Sequence, residues 1–401
     1  MRATIEQTRT RQQKLRVLHV LEATLGGTRR YLDDLRIAVR GRGIESMLAY
    51  SESRADTAFP QFLAAAQADA WTTVNLHMTR EIAPMRDIRA VARLRSTIGR
   101  LRPDVVHAHS SKAGAIARLA VLSLPNRPSV VYSPHALAFR LNRKYLTIES
   151  LLAPLTGRFA AVSQSERAEI ANCGLADASS IDIISPSIDP VFYSPSNREA
   201  ARSALNLGAN PLLLSIGRIT EQKDPLAFVA IVAAVRERIP DVRALWVGDG
   251  DLRAEVQREI DARGLHGVIQ IVAWQSDVRP YFAAADVVVS TARYESFGYT
   301  VPEALAMERP VVASAVTGTI DILTGPLRLL LFPQGEPLAA ADRVVSLLTF
   351  PANAASLARA GRKIVVDRYS SSAMGDALER LYTTVMEVAD APERMPAARR
   401  S

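Results

Sequence analysis

Glu295 and Glu303 frame the stretch of this chain best equipped for chemistry, Ala285-Asp-Val-Val-Val-Ser-Thr-Ala-Arg-Tyr-Glu-Ser-Phe-Gly-Tyr-Thr-Val-Pro-Glu-Ala-Leu-Ala-Met307. The β-branched run Val287 to Val289 predicts a buried parallel strand. A short loop follows, Glu295-Ser296-Phe297-Gly298-Tyr299, and a helix is expected from Thr300. A strand that passes through a glycine loop into a helix builds an anion site. Unpaired backbone N–H groups and the positive end of the helix dipole point at whatever sits there. Two carboxylates at such a site suggest a ligand carrying a diphosphate and hydroxyl-rich sugars. Thr300-Val-Pro-Glu303 also fits a capping box, with Pro302 in the first turn, so Glu303 has two readings, cap or ligand. Glu295 lies ahead of the helix, where capping does not account for it.

Other segments carry residues of a matching kind. Leu214-Ser-Ile-Gly217-Arg218-Ile-Thr-Glu-Gln-Lys223-Asp-Pro225 offers a tight glycine turn and two cations able to reach one diphosphate. Arg218 supplies a fork of donors and Lys223 a point charge; the alternative is a solvated surface loop. Gly26-Gly27 precedes a helical pattern, where backbone N–H groups can approach a ligand, although such a pair is more often only a turn. Asp104-Val-Val-His107-Ala-His109-Ser-Ser-Lys112 ends another expected strand. His107 and His109 alternate onto one strand face as two ligands of a metal would, but no third is evident, and no metal is expected. His109, nearer the strand end, is the better placed of the two to face a ligand, with Lys112 just beyond it. Ser133-Pro-His135-Ala-Leu-Ala-Phe139-Arg140 ends the next strand; a lone histidine such as His135 is usually structural. Gly248-Asp249-Gly250-Asp251 mimics a metal-binding Asp-x-Asp but reads as a structural turn.

Each of these segments follows an expected strand. The strands are 17–21, 46–49, 105–109, 130–132, 160–163 and 181–184, then 212–216, 244–247, 269–272, 287–290 and 311–313. Helical patterns alternate with them, which argues for α/β architecture with parallel sheets. Ligands of doubly wound sheets collect at the carboxyl ends of strands. The segment from Ser185-Pro-Ser-Ile-Asp-Pro190 to Asn197 looks like a linker, giving domains 1–192 and 193–370. Residues 85–102 read as an amphipathic helix, with Ile88, Val91, Ala92, Leu94, Ile98 and Leu101 toward the core. Arg86, Arg89, Arg93 and Arg100 form a separate stripe, and Arg140, Arg143 and Lys144 a second basic cluster. Both are either a solvated basic face or a docking surface for an anionic membrane.

The chain has 401 residues, 48% hydrophobic and 22% charged, enough for a large core and two domains. Its single cysteine, Cys173, excludes an internal disulfide and a cysteine metal cluster, and points to a reducing compartment. Cys173 reads as a loop or core residue. No apolar run approaches the roughly 18–20 residues that span a bilayer, and the segment 17–21 is a strand rather than a signal-peptide core. A cytoplasmic protein is expected. The net charge of +8 calls for an anionic partner. No nucleic-acid motif appears, so phosphorylated ligands or an anionic membrane surface on the inner face fit better.

The Glu-x7-Glu spacing, with Ser-Phe-Gly after Glu295 and Ala-Leu-Ala after Glu303, resembles the large retaining glycosyltransferase family 4, of the GT-B fold. Gly217-Arg218-x4-Lys223 is similar to that family's diphosphate signature, with Asp224 where glycine is usual. The resemblance covers roughly Leu15 to Ala389. It implies two Rossmann-like domains facing across a cleft, with a last helix, about 371–401, packing back on the first. It implies that Glu295 sits by the donor sugar and Glu303 on the ribose hydroxyls, with Ser296, Phe297, Gly298 and Tyr299 completing the donor loop. Gly26-Gly27 would face the donor phosphates, and His135 would bond the donor hexose near the reacting carbon, a catalytic place shared with Glu295. Val316-Thr317-Gly318-Thr319 echoes a family Gly-Gly loop. Pro186-Ser187-Ile188-Asp189 departs from the usual Asn-Gly-x-Asp.

Residues 104–114 are similar to bacterial enzymes that extend exopolysaccharide or O-antigen repeats. The implied reaction is retaining hexosyl transfer from a nucleoside diphosphate sugar, UDP-sugar favoured, with no cofactor. The implied acceptor is a polyprenyl-diphosphate-linked saccharide or a free saccharide, with His109, Lys112 and Arg140 on its side. The family expectation is front-face attack. A nucleotide-sugar 2-epimerase of related fold and a non-catalytic sugar-nucleotide binder are the alternatives. A nicotinamide dehydrogenase is disfavoured, since no Gly-x-Gly-x-x-Gly follows the first strand.

Overall fold

The computed structural model describes residues 14–135 and 144–390. The chain divides into two compact units, one of Met1–Val162, Glu166–Pro186 and Met374–Ser401, the other of Ser163–Ser165 and Ser187–Ala373. The break falls after Pro186, ahead of the expected 192. Ile188 explains this: it is fully buried in the core of the second unit, and its N–H donates to Tyr369 O at 2.7 Å.

The first unit holds a parallel sheet of β1 (Leu15–Leu21), β2 (Ile44–Tyr50), β3 (Thr72–Asn75), β4 (Val105–His109), β5 (Ser129–Ser133), β6 (Arg158–Ala161) and β7 (Ile181–Ile183). Their order is β3-β2-β1-β4-β5-β6-β7. Alternate side chains of each strand enter separate cores. Val17, Leu21, Val105 and Val131 pack with Tyr31, Leu35, Phe59, Leu378 and Tyr382. Leu18, Val20, Val106 and Tyr132 pack on the other face with Leu94, Ile98, Ile116 and Ala117. The helix Ser371–Asp390 therefore belongs to the first unit's core although it is last in sequence. Cys173 packs half-buried at the edge of the second of these cores.

The expected amphipathic helix is Pro84–Leu101, closed by Arg102 in the left-handed region at φ +46°. Leu94 and Ile98 are buried as expected, and Val91 and Leu101 partly so. Ile88 and Ala92 are not: Ile88 is 64% exposed, and Ala92 is exposed as well. Ile88 lies in the helix's second turn, whose apolar side chains the core does not cover.

The second unit holds β8 (Leu212–Ile216), β9 (Arg243–Val247), β10 (Ile269–Val272), β11 (Val287–Ser290), β12 (Val311–Ser314) and β13 (Leu331–Phe332). Their order is β10-β9-β8-β11-β12-β13, all parallel. The apolar runs of β8 and β11 are covered on both faces, as parallel strands require. In each sheet the winding reverses once, between β1 and β4 and between β8 and β11. Such reversals open crevices at the strands' carboxyl ends.

Candidate functional site

In the second unit the loop 217–223 leaves β8 and the loop 291–299 leaves β11, so both enter one crevice. Hydrogen bonds join them. The Lys223 ammonium donates to Glu295 Oε1 across 72 residues of sequence. The Arg293 N–H donates to Gln222 O at 2.8 Å, Gln222 Nε2 to Tyr294 O at 3.2 Å, and the Thr291 hydroxyl to Lys223 O at 2.7 Å. Glu295 is 9% exposed, and Lys223 is its counter-ion there. Arg218 is exposed, with its guanidinium 3.2 Å from Gln222 Oε1. The crevice thus holds one cation engaged with a carboxylate and a second one turned to solvent.

Asp224, in place of the usual glycine, has φ +46°, the left-handed conformation that glycine would supply. Aspartate is among the few L-residues that visit it. Its carboxylate accepts from Arg293 Nε at 3.1 Å, which holds the Arg293 guanidinium above its ordinary pKa. The departure is accommodated by an ion pair between the same two loops.

Glu303 lies in the helix Thr300–Ala306 and is 4% exposed. Thr300 is not the cap residue that the capping box requires. Tyr299 occupies the cap position with no side-chain bond, and Thr300 Oγ1 donates to Ile216 O at 3.3 Å. The Glu303 N–H makes an ordinary helical bond to Tyr299 O at 3.0 Å. Phe297 is buried, and behind it Gly318 passes so close that a Cβ there would lie 3.0 Å from the Phe297 backbone.

The Gly248-Asp249-Gly250 turn supports the Arg218 loop from the other side. A Cβ on Gly248 would lie 2.1 Å from Gly217 O, and one on Gly250 would lie 2.4 Å from Ile219 O. Backbone bonds from Gly217 to Val247 and from Ile219 to Asp249, 3.0 and 2.9 Å, close the contact. Asp249 and Asp251 are exposed. This is the structural turn expected from the sequence.

In the first unit the corresponding crevice lies between β1 and β4. Gly26 opens the helix Gly26–Ala38 at φ +55°, and its N–H donates to Asp56 Oδ2 at 2.8 Å. A carboxylate of the chain itself therefore sits at this helix N-terminus, held also by Arg29 Nε at 3.1 Å. Gly27 is exposed. Lys112 is paired with Asp87 at 2.6 Å and donates to Glu81 O at 2.9 Å. Phe139, Arg140 and Arg143 lie outside the described residues. At the end of β1, Glu22 is buried and bonded to Arg54 at 3.3 Å, with burial raising its pKa.

The histidines hold what the sequence did not disclose. β1 and β4 pair in register with His19 opposite His107. His19 thus joins His107 and His109, with ligand-type atoms within 4.8 Å of one another. The third imidazole exists, but the rings are engaged with each other and with hydroxyls. His107 meets Tyr382 OH at 2.8 Å and Ser133 Oγ at 2.9 Å. His109 meets His19 at 3.2 Å and His135 at 3.1 Å. The signal was legible in part: a histidine at the centre of the apolar run 17–21 is out of place unless it meets polar partners.

Burial lowers the pKa of His19 to about 3 and those of His107 and His109 well below the ordinary value. These groups are neutral when folded and take protons near pH 6.5 when unfolded. Stability is therefore fully present above about pH 6.5 and falls as pH drops toward 3, by about 1.4 kcal/mol per unit for each histidine still neutral in the fold. The melting temperature is expected to fall steeply as pH drops from about 6.5 to 4. A flat profile there would show that these rings are hydrated in solution.

Residues 25–192 match Glycosyltransferase Family 4, and residues 210–349 match Glycosyl transferases group 1. The chain is 25% identical over 253 residues to the UDP-Gal:alpha-D-GlcNAc-diphosphoundecaprenol alpha-1,3-galactosyltransferase of Escherichia coli, covering 60% of this chain and 65% of that enzyme, just under two thirds of its length. It is 23% identical to the capsular polysaccharide biosynthesis glycosyltransferase CapM of Staphylococcus aureus, covering 77% and 84% of the two chains. The structure of Anabaena HepE in complex with UDP superposes with a TM-score of 0.80 at 19% identity, covering 92% of this chain and all (100%) of that one. With a Family 4 domain followed by a group 1 domain on the GT-B fold, the chain belongs to the family 4 glycosyltransferases.

Proposed function

We propose that this chain is a retaining glycosyltransferase that moves a hexosyl unit from a nucleoside diphosphate sugar, UDP-linked, to a lipid-linked or saccharide acceptor in bacterial surface polysaccharide synthesis. The observation that carries this is the joining of the Arg218–Lys223 loop to the Glu295 loop at the reversal between β8 and β11. One crevice there offers cations for a diphosphate and carboxylates for sugar hydroxyls. The known complexes of HepE with UDP and with UDP-glucose support the choice of donor.

In this reading the diphosphate draws Lys223 away from Glu295, and Glu295 then accepts bonds from hydroxyls of the donor sugar. Arg218, already solvent-facing, swings onto the same diphosphate. Glu303 holds the ribose hydroxyls. The acceptor oxygen bonds to the anomeric carbon as the bond from that carbon to the diphosphate breaks. The acceptor's proton passes to the leaving phosphate oxygen on the same face. The growing charge on the diphosphate is what Arg218 and Lys223 stabilise. His135 orients the sugar. Incubation with UDP-sugars and with polyprenyl-diphosphate-linked or free saccharides, followed by mass spectrometry and anomeric assignment, tests this. An epimerised sugar released without acceptor, or an inverted product, would refute it.

Membrane docking is the second part of the proposal. Among the described residues no helix is long and apolar enough to cross a membrane. At the start of the helix Pro84–Leu101, Ile82, Met85 and Ile88 are 61%, 66% and 64% exposed, and Arg86, Arg89 and Arg93 stand beside them. Apolar side chains flanked by arginine suit the headgroup boundary of an anionic leaflet, each basic residue contributing about 1 kcal/mol. The protein is expected to sediment with anionic vesicles at low salt and to be released at high salt. Arg86, Arg89 and Arg93 changed together to Glu should abolish binding; retention by that variant rules this surface out.

A further inference from the structure

Four histidines of the first unit meet, and three of them form a single hydrogen-bonded line. His19 Nδ1 lies 3.2 Å from His109 Nε2, and His109 Nδ1 lies 3.1 Å from His135 Nε2. His107 stands beside the line, both of its nitrogens taken by Tyr382 and Ser133. At the inner end His19 stacks on Trp71 with ring centroids 5.2 Å apart, and among the described residues its buried Nε2 has no hydrogen-bond partner. At the outer end His135 packs edge-on against Tyr31 at 4.4 Å and is held at φ +59°.

A neutral imidazole carries one proton on one of two nitrogens. Burial keeps all of these rings neutral. One choice at His19 therefore sets the whole line. If the His19 proton were on Nε2, an N–H would be buried with no acceptor. If it is on Nδ1, the unmatched atom at Nε2 is only a lone pair. Unpaired buried donors are the rarer and costlier defect, so the second arrangement wins. His19 Nδ1–H then donates to His109 Nε2, His109 Nδ1–H donates to His135 Nε2, and His135 carries its own proton on Nδ1.

We propose that His19 and His109 are positioning residues that lock His135 as the Nδ1–H tautomer, making it a hydrogen-bond donor to an oxygen of the transferred sugar and not a proton acceptor. The tautomer follows from the line itself; its use toward a sugar rests on the glycosyltransferase reading. A donor at that position suits a sugar hydroxyl or ring oxygen that gains no negative charge. It also leaves the acceptor's proton to the diphosphate, since a His135 whose Nε2 is already bonded and whose Nδ1 is already protonated cannot abstract it.

The test is a long-range ¹H–¹⁵N correlation spectrum of the full chain labelled with ¹⁵N-histidine, joined to kinetics. The wild type should show His135 with Nδ1 protonated and Nε2 bare. His19→Phe keeps a ring on Trp71 but deletes the inner donor. It should leave His109 and His135 mixed in tautomer and lower kcat roughly fivefold with little change in donor KM, about what one neutral hydrogen bond is worth. His19→Asn places an amide N–H where Nδ1 stands and should restore both the tautomer and kcat. His135 protonated on Nε2 in the wild type overturns the proposal, as does a tautomer that His19→Phe does not move. Stoichiometric zinc in the purified protein overturns it too, since metal would replace the protons of the line. If His19→Phe does not fold, the wild-type spectrum alone decides. Should the tautomer be as stated while His135→Ala transfers sugar normally, the role of His135 in transfer is refuted and the locked line stands.

Discussion

Lys223→Ala is expected to cut transfer about a hundredfold and Arg218→Ala about tenfold, because each removes a charge-assisted contact to the diphosphate worth about 1.5–3 kcal/mol. The two variants should differ in stability. Arg218 is exposed, and its loss should leave the melting temperature unchanged. Lys223 is the counter-ion of Glu295, which is 9% exposed. Its removal strands a nearly buried carboxylate and should cost roughly 1–3 kcal/mol of stability besides the loss in rate. Lys223→Ala, Glu295→Gln combined should recover that stability without recovering transfer. Steady-state kinetics and thermal melts of the four proteins check this. Wild-type rates in either single variant would remove the diphosphate from this loop.

Glu303→Gln should weaken donor binding about tenfold while leaving the melting temperature nearly unchanged. The substitution keeps the side chain's length and one acceptor oxygen but removes the charge that strengthens bonds from ribose hydroxyls. Had Glu303 been a cap, glutamine would have served as well. Thr300 donates to Ile216 O and is not the cap residue, so the helix start does not depend on a Thr300–Glu303 pair. Calorimetric titration with UDP isolates the nucleotide contact from the sugar. Unchanged UDP affinity in Glu303→Gln would sink the ribose assignment.

Continuous apolar runs made β8, β11 and β12 legible, because a strand buried on both faces is written mostly in apolar residues. β3 and β13 were not: Thr72–Asn75 is at most half-buried and polar at both ends, and Leu331–Phe332 is two residues long. Edge strands take their conformation from a neighbour's hydrogen bonds, which sequence does not display. The placement of Glu295, Glu303, Arg218 and Lys223 at strand ends followed from pattern. The bond between Lys223 and Glu295 did not, since it depends on β8 and β11 being neighbours while 72 residues separate the partners. His19 was hidden in the same way, by the register that sets it opposite His107. Lys112 was read by charge alone, and its engagement with Asp87 depends on how the helix Pro84–Leu101 is seated. Ile88 shows the limit of periodicity, which tells which residues share a face but not where the partner surface ends.

The contact between Gly248, Gly250 and the backbone of Gly217 and Ile219 bears on how this protein can change. A Cβ at either glycine would lie 2.1–2.4 Å from a backbone oxygen of the facing turn, so any substitution there must displace that backbone. A saturation library scored for growth or transfer would return both positions as intolerant as Lys223, and a reader of that map would mark them catalytic. Their effect is to hold the Arg218 loop at one height above the sheet, which under the proposed function is the height of the diphosphate whatever sugar is attached. New donor preferences can then arise by drift in the loop 291–299 alone, with the leaving-group geometry inherited unaltered from one specificity to the next.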